Sequence, residues 1–209
     1  MLITPDWTIG DKHLIENAPE FAPLIEKFSP CTLQPEAEER FFEILVRGIV
    51  AQQLPPDVVN QICEKMDLHF NKVEPEKILA ASDQELSALG LVQQKIIYLQ
   101  NFSQMVLDGK IELNRFSEMT DAEITKQLLE VKGLGQWTID MFLLLALCRT
   151  DVVPTADHIF QKALKNLYNL PNMPKRGAIN KIAANWRPWR SLAVWYLWRS
   201  ADTDNSSAK

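Results

Sequence analysis

The sequence predicts an all-α protein, and three observations carry that expectation. Glycine is scarce, with 7 in 209 residues. Alternation of apolar and polar residues over strand-length windows is almost absent. Helix start signals recur instead: the capping boxes Ser82-x-x-Glu85 and Thr120-x-x-Glu123, and prolines at positions where a helix would begin. At 209 residues, 23.9 kDa and 46% hydrophobic, the chain forms one domain or two small lobes, with enough apolar surface to bury a core.

Residues 1–10 read as irregular. Asp11 is placed to cap a helix whose apolar positions Leu14, Ala18, Phe21, Ile25 and Phe28 are spaced by 4, 3, 4 and 3, with Pro19 and Pro23 as breaks. Pro35 is expected to start a strong helix, with Glu36, Glu38 and Glu39 in its first turn. The apolar face is Phe41, Phe42, Leu45, Val46, Ile49 and Val50, and the helix stops at Gln52-Gln53-Leu54 before Pro55-Pro56. A helix with Val58, Val59, Ile62 and Met66 follows. Pro75 opens a short helix, the first capping box another that Gly90 ends, and 93–107 a longer one that Asp108-Gly109 ends. The second capping box begins a helix running into Lys132-Gly133-Leu134-Gly135. A second apolar helix spans Gln136 to Cys148, and Pro154-Thr155-Ala156-Asp157 leads into a third, to about Tyr168. The spacing places further helices over 175–185 and from Pro188 to about Arg199, then a polar, frayed 201–209.

Composition excludes several classes. No apolar run approaches the roughly 18 residues of a membrane span, and MLITPDWTIGDKH lacks the basic start and apolar core of a signal peptide. Cys31, Cys63 and Cys148 have neither disulfide-framework nor metal-ligand spacing, which predicts a reducing, cytoplasmic location. The net charge is −5, yet it is divided unevenly. Residues 1–120 carry 10 Lys/Arg against 19 Asp/Glu, and 121–209 carry 12 against 8. From His158 to Ala201 there are eight basic residues and no acid. A one-signed stretch of that length suits a phosphate-facing surface, and equally a solvated basic face.

The turn Val131-Lys132-Gly133-Leu134-Gly135 reads as a helix–hairpin–helix. Two glycines at a helix N-terminus let an anion approach unpaired N–H groups where the helix dipole is positive. No strand precedes the turn, which argues against a dinucleotide-binding fold. Asp157 lies 22 residues after Gly135, at a helix start, where the plain role is a cap. The helix dipole favours its ionised form, and such a carboxylate suits stabilisation of an oxocarbenium-like cation better than general-acid work. Six tryptophans are many for this length, and four fall between Trp186 and Trp198. They cannot share one helix face, so most are core, with one or two free to stack a planar base. No nucleophile–base pairing and no carboxylate cluster for a divalent metal is evident.

These residues resemble the helix–hairpin–helix DNA glycosylases that have a Gly/Pro-rich loop and an aspartate, and within them the 3-methyladenine glycosylase II group that acts on alkylated bases. The likeness rests on FFEILVRGIVAQQL, LGLVQQKIIYL, VKGLGQWTIDMFLL, DVVPTADHIF and NWRPWRSLAVWYLW, which together span most of 40–200. It implies a two-lobed helical fold, lobes 36–140 and 1–35 plus 141–209, with the active-site cleft between them. The chain is too short for the N-terminal β domain of some relatives.

The resemblance also implies residue roles. Asp157 is the catalytic carboxylate. Trp137, Met141, His158 and Trp198 line the base pocket. Leu54, with Gln53, fills the gap left by a flipped nucleotide. Gly133, Gly135 and Thr138 bind DNA phosphate, and the carbonyls of Leu129, Val131 and Leu134 hold Na+ or K+. Bifunctional relatives carry a Schiff-base lysine where this chain has Trp137, which implies a monofunctional enzyme that uses water and leaves an abasic site; a same-fold glycosylase for an oxidised or deaminated purine, and a non-catalytic hairpin module that binds DNA, are the alternative readings. No four-cysteine cluster follows Cys148, so no iron–sulfur cluster and no required cofactor is expected. The implied partner is double-stranded DNA containing a damaged base, bound by a monomer without a membrane. Two departures are Pro55-Pro56, where a serine is usual, and Met141, where some relatives have an aromatic residue.

Overall fold

A computed structural model describes residues 2–206. They contain helices and connections and no strand. The α-helices are α1 (Trp7–Asn17), α2 (Ala22–Phe28), α3 (Phe41–Ala51), α4 (Pro56–Phe70), α5 (Pro75–Ala80), α6 (Asp83–Ala88), α7 (Gln93–Leu107), α8 (Asp121–Leu129), α9 (Gln136–Met141), α10 (His158–Leu167), α11 (Arg176–Ile182) and α12 (Arg190–Ser206). Contacts divide the chain into two compact units. One is Glu36–Phe142; the other combines Leu2–Pro35 with the chain from Leu143 onward.

The first unit is built on α3. All six residues of its predicted apolar face are buried. Phe42 stacks on Phe102 of α7 at 5.0 Å and 15°, and Phe41 meets Phe142 edge-on at 5.3 Å. A Cβ on Gly48 would lie 2.5 Å from Cγ2 of Thr138, so the glycine is what lets α3 and α9 approach. Both predicted capping boxes form: Ser82 and Glu85 at α6, Thr120 and Glu123 at α8. Gly90 ends α6 at φ +103°.

In the second unit α12 buries Leu192 through Leu197, and Phe21 packs edge-on against fully buried Trp186 at 5.3 Å. Trp7, Trp186 and Trp195 are core, whereas Trp189 and Trp198 are half-buried and Trp137 exposed, so fewer tryptophans are core than the sequence suggests.

Several boundaries differ from expectation. Asp6, not Asp11, caps the first helix, accepting from the backbone N–H and the hydroxyl of Thr8. Asp11 lies inside α1 and accepts the Tyr196 hydroxyl at 2.6 Å, a partner 185 residues away. Pro35 does not start a helix. A 3-10 turn, Glu38–Arg40, precedes α3, whose start follows the burial of Phe41 and Phe42, while Arg40 pairs with Glu36 across the turn. The apolar helix after the hairpin is regular only to Met141 and widens into a π-helical turn, Phe142–Ala146, where burial of nearly every side chain overrides the α period. α11 stops at Ile182 and a 3-10 turn, Ala183–Trp186, follows. Pro188 lies in the turn before α12. That helix runs to Ser206 rather than fraying after Arg199, since extending an existing helix costs little. The remainder of the polar tail, 207–209, lies outside the described residues.

Burial pushes the Cys31 thiol up to about 12. A thiol whose folded value is raised contributes stability that is fully present below its ordinary value of 9.0 and is lost as pH rises toward 12. Burial and the Asp11 carboxylate raise the Tyr196 phenol as well, which adds a second loss beginning near 10.0. Thermal melts of the native chain are therefore expected to fall between pH 9 and 11, and Cys31→Ala to flatten the earlier part of that fall. Equal slopes for both proteins would remove Cys31 as the source.

Candidate active site and nucleic-acid interface

The hairpin lies within the first unit. After α8 the chain closes two successive turns, Val131 N–H to Leu128 O and Leu134 N–H to Val131 O, each 3.1 Å. Val131 and Leu134 are buried and anchor the turn, while Lys132 and Gly135 are exposed. Gly133 has φ +93°, and a Cβ on it would sit 2.5 Å from Cδ2 of Tyr98. Gly135 is the N-cap of α9 in extended conformation, φ −106° and ψ 167°, and its carbonyl accepts from Ile139 N–H at 3.1 Å. The first-turn N–H groups of a helix have no acceptor within it, so this end of α9 presents donors beside an exposed, side-chain-free residue.

The other predicted residues of this unit fall as follows. Thr138 is buried, with its methyl against Gly48. Trp137 is 42% exposed and Met141 half-buried; four apart on a helical run, they share a face. Gln53 is exposed with φ +59°, Leu54 half-buried, and Pro56 opens α4 directly after them. Leu129, Val131 and Leu134 contribute carbonyls from one tight turn. Val131 O already accepts Leu134 N–H but keeps a second lone pair. All-carbonyl oxygen donors fit a hard, weakly charged cation. Among the described residues there is no group of His, Cys, Asp or Glu able to hold a metal.

Asp157 lies in the second unit and caps α10, as the plain reading of its position expected. It is 8% exposed. Its Oδ1 accepts Phe160 N–H at 2.7 Å and the indole Nε1–H of Trp198 at 3.1 Å. The loop before it is tied by Asp157 N–H to Pro154 O and by the Gln161 amide to Thr155 O. The carboxylate is thus held in one orientation by a helix end and an aromatic ring. Trp198 is half-buried and His158 exposed. The structure brings Trp198 to Asp157, a partnership 41 residues apart in sequence that no local signal reveals. Of the basic stretch, Arg187 and Arg190 are drawn to Asp151, whereas Lys162, Lys175, Arg176 and Lys181 are exposed.

A helical chain with a Gly-x-Gly hairpin, an exposed basic set and a fixed helix-cap carboxylate is of the class that handles nucleic acid. The chain belongs to the HhH-GPD superfamily of base excision DNA repair proteins, whose family model matches residues 46–188. It is 26% identical over 199 residues to the alkylbase DNA glycosidase-like protein mag2 of Schizosaccharomyces pombe, covering 93% of each chain. It is 28% identical over 192 residues to DNA-3-methyladenine glycosylase 1 of the same organism, covering 90% of this chain and 83% of that one. The solved structure of the S. pombe 3-methyladenine DNA glycosylase (Mag1) in complex with abasic DNA superposes with a TM-score of 0.81 at 25% identity, covering 92% of this chain and 96% of that one.

One consequence of the hairpin geometry is directly measurable. No atom lies within 4 Å of a Cβ built on Gly135, and its φ is ordinary for any residue. Gly135→Ala at this N-cap is expected to cost about 0.5–1 kcal/mol of stability. With the phosphate role expected of this turn, the added methyl obstructs the approach of a phosphodiester, and affinity for duplex DNA is expected to fall whatever its sequence. Unchanged binding by filter retention or anisotropy would remove the phosphate role.

Proposed function

We propose that this protein is a monofunctional DNA glycosylase that flips out and hydrolytically excises alkylated purines of the 3-methyladenine type, leaving an abasic site. The observation that carries this reading is Asp157, buried and oriented through Oδ1 by Phe160 N–H and Trp198 Nε1–H. The alkylbase and 3-methyladenine activities for which the similar proteins are named support the substrate class, and the Mag1 complex supports DNA as the partner.

The physics fits the chemistry. A glycosidic bond inside a duplex is out of reach, and extruding the nucleotide costs a few kcal/mol, least where pairing is damaged. Leu54 and Gln53 fill the vacated space, and the N–H groups at Gly133, Gly135 and Thr138 hold the backbone. An N-alkylated purine is cationic and already a good leaving group, and an electron-rich indole such as Trp137, with Met141 on the same face, stacks against it. The bond from C1′ to the base nitrogen breaks with its electron pair leaving on the base. Asp157 stabilises the sugar cation, water adds at C1′, and a proton is released. With tryptophan at 137 there is no lysine there to form a covalent intermediate, so the strand stays intact. A monovalent cation on the Leu129, Val131 and Leu134 carbonyls would supply positive charge beside the phosphate.

The test is single-turnover base release from duplexes carrying an alkylated, an oxidised or a deaminated purine. Release of the alkylated base well above the other two is expected. Preference for either of the others moves the substrate class, and release from none removes the enzyme reading.

A further inference from the structure

α3 ends at Ala51, and Gln52 turns out of the helix at φ −60° and ψ 125°, with Gln53 at positive φ behind it. The Gln52 side chain does not point to solvent. Its amide Nε2 donates to the carbonyl oxygen of Gly133, the positive-φ glycine of the hairpin, 81 residues away. Its Oε1 accepts from the Lys95 ammonium at 3.4 Å, and Lys95 also donates to Ile49 O at 2.6 Å, in the last turn of α3. The orientation of the amide follows from its neighbours: a carbonyl can only accept and an ammonium can only donate. One amide thus joins the end of α3, the start of α7 and the hairpin, all within the first unit.

A cavity of about 190 Å³ adjoins this loop, lined by Gln52, Leu54, Val58, Ile62, Leu91 and Lys95 among others. Leu54 N–H closes a turn onto Ala51 O at 3.3 Å, and the polar chain through Gln52 ties that turn to the glycine hairpin.

We propose that Gln52 and Lys95 are positioning residues that lock the Gln53-Leu54 loop to Gly133, so that capture of the DNA backbone by the hairpin and insertion of Leu54 into the duplex occur as one event. This rests on the roles given to the loop and hairpin above. Burial holds the Lys95 ammonium below its ordinary value, in keeping with its place under the loop.

Gln52→Glu tests the link. It keeps the size and the acceptor facing Lys95 but replaces the donor to Gly133 O with an oxygen. The full chain is titrated with an abasic-site duplex and with the same duplex undamaged, alongside melting temperatures and a double-mutant cycle with Leu54→Ala. We expect an unchanged melting temperature, a roughly tenfold loss of affinity for the abasic duplex, and a smaller loss for the undamaged one. Combined with Leu54→Ala, the second substitution should add little to the first. Equal losses on both duplexes, no loss, or additive losses would overturn the proposal. If Leu54→Ala alone leaves the abasic preference intact, the reading of the loop fails and the proposal with it. If Leu54→Ala abolishes that preference while Gln52→Glu keeps it, only the positioning role fails. Should Gln52→Glu melt early, Lys95→Met and Lys95→Arg give the same readout. Met is expected to lose the abasic preference and Arg to retain it, and equal behaviour of the two overturns the link.

Discussion

Asp157→Asn is expected to lower the rate of alkylated-purine release by about 10²–10³-fold while leaving the fold and DNA affinity in place. Oδ1 accepts from Phe160 N–H at 2.7 Å and from Trp198 Nε1–H at 3.1 Å, and an asparagine oxygen can accept both, without the charge assistance. Asn caps a helix about as well as Asp, so stability should move by less than about 0.5 kcal/mol. What the substitution removes is the negative charge, which in the proposed mechanism serves the developing sugar cation. Single-turnover release, abasic-duplex binding and a thermal melt on one preparation separate these effects. A variant with near-normal release would reduce Asp157 to a helix cap.

Gly133→Ala should have the largest effect on the scaffold. The residue holds φ +93°, which a Cβ disfavours, and the new methyl would lie 2.5 Å from Cδ2 and 3.0 Å from Cγ of Tyr98. Tyr98 cannot simply swing away, since its ring leaves α7 at the Cβ and its hydroxyl accepts from Gln94 at 2.6 Å. Strain and overpacking together cost about 2–4 kcal/mol. The Gly133 carbonyl would move with the turn and draw Gln52 out of line. Both the melting temperature and DNA affinity should therefore fall, and the melting temperature by more than for Gly135→Ala, where only a cap preference is lost. A Gly133→Ala protein that melts and binds like the native chain would show that the turn tolerates a side chain.

What was legible in the sequence was local. The capping boxes at Ser82 and Thr120, the apolar face of α3 and the glycine stops each depend on residues within about one or two helical turns, and each appears in the structure. The Gly-x-Gly turn and the helix-cap place of Asp157 belong to the same group. What was hidden depends on partners far along the chain. Asp11 reads as a cap until Tyr196 claims it from 185 residues away. Pro35 reads as a helix start until burial of Phe41 and Phe42 decides where α3 begins. Trp198 as the partner of Asp157, Tyr98 as the seat of Gly133, and Gln52 as the bridge to the hairpin all join segments with no local signal for one another.

The most direct measurement is the analysis of purified protein acting on DNA alkylated by a methylating agent, with released bases separated by chromatography and the strand examined before and after hot alkali. The account predicts free 3-methyladenine in solution and strands that break only after alkali. No released base, or strands nicked by the protein itself, would contradict it.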